Sequence, residues 1–94
     1  MAIMEKAFDG VGLILCDLKH EHRRTLRTAL VAEGLRSIKD VSEIEVIRDI
    51  TEKLVPDLIV IDLDMPDGST GEFVPDVRNG NLCINPFIPI IAVT

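Results

Sequence analysis

Apolar residues in this chain cluster in short runs separated by segments with helical spacing. Val11 to Cys16 (VGLILC) is an apolar run that stops at Asp17. Its length and branched content predict a strand buried on both faces. From Glu21 to Glu33 the rhythm changes. Leu26, Ala29, Leu30 and Glu33 follow a three-four spacing, which predicts a helix with a modest apolar stripe. Gly34 is its natural stop, because glycine accepts the left-handed cap conformation. Arg36 to Val41 predicts a half-polar second strand anchored by Ile38 and Val41, and its polarity suits a sheet edge. Ser42-Glu43-Ile44-Glu45 has the form of a capping box and predicts a helix to about Leu54, with Ile44, Ile47, Ile50 and Leu54 on one face. Pro56 ends it.

Leu58 to Leu63 (LIVIDL) predicts a third buried strand, interrupted only by Asp62. Pro66-Asp67-Gly68 is a turn signal. Ser69 or Thr70 can cap a third helix from about Gly71 to Arg78, which Pro75 is expected to shorten, kink or break. Asn79 to Phe87 is rich in Asn, Gly and Pro and predicts a loop. Ile88 to Val93 predicts a fourth strand, with Pro89 tolerable near its start.

Strands alternating with helices imply parallel strands joined by right-handed crossovers. The fold class is therefore α/β, a doubly wound parallel sheet. In such a sheet ligands gather at the carboxyl ends of the strands, where strand order reverses. Asp17, Asp62 and Thr94 all fall at such ends. An ionised carboxylate in an apolar strand needs a compensating partner. Asp62 paired with Asp17 across neighbouring strand ends makes an oxygen-rich pocket of the kind Mg²⁺ takes, since that ion prefers hard oxygen ligands. With its charge neutralised, Asp62 can attack phosphorus and carry an acyl phosphate. Thr94 then offers its hydroxyl to a phosphoryl oxygen.

Composition narrows the alternatives. The 94 residues make one domain, with 1–10 as an N-terminal extension and 11–94 as the folded part. Apolar residues are 47% of the chain and charged residues 28%, so the chain has the means to fold. The net charge of -6 opposes binding to a phosphate backbone, and three Phe with no Trp or Tyr give no base-stacking platform. Nucleic acid is not an expected partner of this segment. Cys16 and Cys83 lack metal-ligand spacing and read as buried or semi-buried thiols of a reducing cytosol. No apolar run approaches the ~20 residues that span a bilayer, and no secretory signal is evident, so a cytoplasmic location without membrane contact is expected.

The segment Pro56-Asp57-Leu58-Ile59-Val60-Ile61-Asp62-Leu63-Asp64-Met65-Pro66 resembles the "PDL-hydrophobic-D-x-x-MP" segment of the receiver domains of bacterial two-component response regulators. Ile88 to Thr94 is similar to their fourth strand with its Thr or Ser switch residue, and Arg23 to Leu35 to their first helix. The resemblance runs from about Val11 to the end of the chain. It implies a flavodoxin-like sheet of strand order 2-1-3-4. It also implies Asp62 as phosphoacceptor, Thr94 as hydroxyl switch, and Asp17, Asp62 and Asp64 (by its carbonyl) around Mg²⁺. The implied phosphodonor is a phosphohistidine on a sensor histidine kinase or a histidine phosphotransfer protein.

Two departures from the family pattern matter. Leu18 stands where the second acid after the first strand is usual, which should weaken Mg²⁺ binding; the Asp64 side chain, two residues beyond Asp62, is the nearest candidate to compensate. The family continues into a fifth strand with a Lys and two more helices, so a fragment lacking the final strand and last two helices is expected, with self-association through the uncovered edge or face. The alternative function is a degenerate pseudo-receiver that binds protein without phosphorylation. Asp62-Leu63-Asp64 also has the D-x-D form of haloacid-dehalogenase-type phosphatases, but Met65-Pro66 follows it on the third strand rather than the first. A non-enzymatic signalling domain is the expectation.

Overall fold

A computed structural model of the chain describes residues 10–65, 68–82 and 84–93. The expectations for Pro66, Asp67, Cys83 and Thr94 lie outside the described residues. The elements are β1 (Gly12–Cys16), α1 (His20–Ala32), β2 (Ser37–Val41), α2 (Ile44–Thr51), β3 (Leu58–Asp62), α3 (Ser69–Arg78) and β4 (Ile90–Val93). All strand pairs are parallel, in the order β2-β1-β3-β4. This is the expected α/β architecture.

The buried strands separate two apolar layers by their alternation. Ile14, Cys16, Ile59 and Ile61 face one side, where α2 brings Ile44 and Ile47 and α3 brings Phe73 and Val77. Leu13, Leu15 and Val60 face the other, where α1 lays Leu26 and Leu30 against them. Phe73, Ile47, Val77 and Ile14 are fully enclosed, each contributing about 1.5–3 kcal/mol by leaving water. Ile38 and Val41 anchor β2 as its polar pattern foretold. At the amino ends, β1 and β3 are stitched reciprocally: Gly12 N–H donates to the Asp57 carboxylate (2.8 Å), and Asp57 N–H donates to the Gly12 carbonyl (2.8 Å).

Local details depart from expectation in five places. The Ser42 capping box does not form. The chain stays extended through Glu43, which becomes the N-cap, and three residues on stands Val46, which has no carboxylate to return. That helix ends at Thr51 rather than Leu54. Neither Ser69 nor Thr70 caps α3; Gly68 does, with φ +72°. Pro75 neither breaks nor shortens α3. The residue four before it is the exposed Gly71, and hydrogen bonding resumes with Asn79 N–H to the Pro75 carbonyl (2.9 Å). β4 begins at Ile90, not Ile88, although the Pro89 carbonyl still accepts from Ile59 N–H (3.1 Å). Helix α1 stops as predicted: Gly34 takes φ +99°, and Leu35 N–H closes back on the Leu30 carbonyl (3.1 Å).

Among the described residues no helix is long and apolar enough to cross a membrane.

Candidate functional site at the strand carboxyl ends

Register decides the site. Cys16 pairs with Ile61, so the next residue along each strand is an aspartate, Asp17 beside Asp62. Strand alternation puts both on the side of the sheet that Leu15 and Val60 face.

Asp17 is only 2% exposed. A buried carboxylate must be compensated, and the turn that follows does this. Oδ1 accepts from Lys19 N–H (2.9 Å), and Oδ2 lies 3.3 Å from His22 Nδ1. The Arg23 guanidinium donates to the Asp17 carbonyl (2.7 Å) and the Leu18 carbonyl (3.1 Å). Negative charge at the start of α1 also meets the favourable end of the helix dipole. Asp17, His22, Thr25, Leu26 and Val93 line a cleft of about 240 Å³.

Asp62 closes β3 and is partly exposed. Its Oδ1 accepts from Asp64 N–H (3.0 Å), a local turn that aims the carboxylate. Its carbonyl accepts from Thr70 Oγ1 (2.6 Å), a hydroxyl on a residue only 3% exposed. Leu18 is 48% exposed and lines a second cleft, about 280 Å³, with Ile44, Met65, Ser42, Ser69, Glu43 and Glu45.

These donors fit Mg²⁺ poorly. Both Asp17 oxygens are engaged by the Lys19 amide and His22. The side chain of Leu18, the next residue, has no oxygen to offer and lines the other cleft. Among the described residues no group of three His, Cys, Asp or Glu side chains could hold a metal ion.

The expected site residues thus fare differently. Asp17 and Asp62 end adjacent strands. Asp64 joins through its amide, with its residue exposed to solvent. Thr94 lies outside the described residues. Three basic side chains of α1 make specific contacts at the site or with the strand beside it. His22 and Arg23 grip the Asp17 turn, and Arg27 donates to the Ile38 carbonyl (3.1 Å). The one legible signal was a strand-end acid followed, five residues on, by a histidine in the first helical turn. Thr70 carried no such signal.

The chain is 36% identical over 73 residues to the KDP operon transcriptional regulatory protein KdpE of Escherichia coli (strain K12), an alignment covering 77% of this chain and 29% of that protein. The chain therefore spans less than a third of its relative's length. No family model matches the chain. No solved structure matches it either.

Proposed function

We propose that this chain, which belongs with the receiver domains of response regulators, is a phospho-accepting switch that takes a phosphoryl group on Asp62. The fold and the likeness to a response regulator support the family. One observation carries the assignment of the residue. Asp62 is a partly exposed carboxylate at the carboxyl end of a central strand, beside a second acid, with one oxygen already held by a backbone amide.

A carboxylate held in this way is a preorganised nucleophile. The donor is a phosphohistidine of a sensor kinase or a histidine phosphotransfer protein. A carboxylate oxygen of Asp62 forms a bond to phosphorus as the P–N bond breaks. The electron pair of that bond returns to the imidazole, which leaves and takes up a proton from water. The product is an aspartyl phosphate. In-line displacement of this kind asks the protein chiefly for positioning and charge stabilisation. The Asp64 amide provides part of that positioning.

The test is intact-mass measurement of the purified chain after incubation with phosphoramidate, a small P–N donor, in Mg²⁺ buffer. The wild type gains one phosphoryl group, labile to hydroxylamine, and Asp62→Asn gains none. Equal uptake by Asp62→Asn refutes the assignment.

A second reading has its own support. Leu18 beside an Asp17 whose oxygens are both occupied favours a pseudo-receiver that binds a partner without being phosphorylated. Absence of any mass gain in the wild type, with the fold intact, selects that reading.

A further inference from the structure

We propose that Thr70 is a positioning residue for Asp62, tying the phosphoacceptor to the first turn of α3; this rests on the reading of Asp62 given above. The ladder between β1 and β3 ends at the rung Cys16–Ile61, so Asp62 lies one residue beyond it. A strand-end carbonyl in a part-buried setting needs a donor from elsewhere. Thr70 Oγ1 supplies it across eight residues of chain at 2.6 Å.

The hydroxyl sits in the first turn of α3, where preceding helical carbonyls do not exist to receive it. At 3% exposure water does not serve it either, so Asp62 is its acceptor. The same peptide segment is held from the other side, where Leu63 N–H donates to the Val93 carbonyl (2.7 Å). Asp62 is therefore fixed at three points: its carbonyl by Thr70, the N–H of that same peptide group by β4, and its carboxylate by the Asp64 amide. The other two have backbone N–H groups as donors. Thr70 is the one whose donor is a side chain, and so the one that substitution can remove while leaving Asp62 in place.

Helix α3 is itself attached to α2, since Arg48 meets the Asp76 carboxylate at 3.1 Å. Thr70 thus links the reacting carboxylate to the paired helices on the opposite face of the sheet.

Thr70→Val keeps the shape and removes the donor; Thr70→Ser restores the donor. Two readouts on the full chain decide the matter. In phosphoramidate uptake, Thr70→Val is expected to react about tenfold slower than wild type, a loss of the size small misplacements cause, and Thr70→Ser to recover the wild-type rate. In amide hydrogen exchange by NMR, Asp64 is expected to exchange faster in Thr70→Val and at the wild-type rate in Thr70→Ser, while Ile14 in β1 is unchanged in both. If the wild type takes up no phosphoryl group, the reading of Asp62 fails, and Asp64 exchange still judges Thr70. Unchanged Asp64 exchange in Thr70→Val overturns the proposal, as does a Thr70→Ser variant that behaves like Thr70→Val.

Discussion

Replacing Leu18 by Asp puts a third carboxylate at the mouth of the sheet, and its effect on Mg²⁺ can be worked out in advance. A unit negative charge about 4 Å from a divalent cation gains about 2 kcal/mol at the dielectric of water and about 8 kcal/mol at an effective dielectric of 20. Leu18 is 48% exposed, so the lower figure governs. At about 1.4 kcal/mol per factor of ten, Mg²⁺ should bind about thirtyfold more tightly to Leu18→Asp than to wild type. The substitution also has a cost. A half-buried leucine leaves the cleft it shares with Ile44 and Met65, worth about 1 kcal/mol, and like charges crowd Asp17 and Asp62. The Mg²⁺-free variant should therefore be less stable than wild type, and saturating Mg²⁺ should restore it, because an ion that binds only the folded state adds to its stability. The chain has no Trp or Tyr, so the assay is calorimetric or NMR titration rather than fluorescence. Leu18→Asn serves as the uncharged control. Affinity in Leu18→Asp no greater than in wild type, or an equal gain in Leu18→Asn, would refute the reasoning.

Two further predictions concern the frame that carries the site. Phe73 is fully buried between α3 and the sheet, so Phe73→Ala should lose about 3–5 kcal/mol in urea unfolding; a loss under about 1 kcal/mol would mean that α3 does not pack as described. The Arg48–Asp76 pair joins α2 to α3, with side chains 37% and 35% exposed. A double-mutant cycle to Ala should give a coupling of only about 0.5–1 kcal/mol that shrinks in high salt, and a coupling that salt leaves untouched would argue against an ion pair.

Much of the fold was legible because the two apolar rhythms are unambiguous. LILC and LIVI have no polar interruption and are long enough for a strand but too short for a helix, and Gly34 had one economical use. Element ends were less legible. Ser42 and Glu45 satisfy the capping-box pattern, but the path of the chain out of β2 keeps Glu43 extended and moves the cap by one residue. Pro75 looked like a breaker, although the helix continues past it to Arg78.

The order of residues alone determined the alternation of strands and helices, the split of each strand between two apolar layers, and the placing of Asp17 and Asp62 at strand ends. These follow from periodicity and from the high cost of leaving apolar runs in water, both local properties of the chain. Tertiary structure alone decided which groups satisfy those acids. His22 turning back on Asp17 left a trace in the spacing, but Thr70 reaching the Asp62 carbonyl and Arg27 reaching the Ile38 carbonyl depend on how the helices lie against the sheet. They arise because a buried polar group must find a partner, and only the packed sheet and its helices determine which partner is within reach.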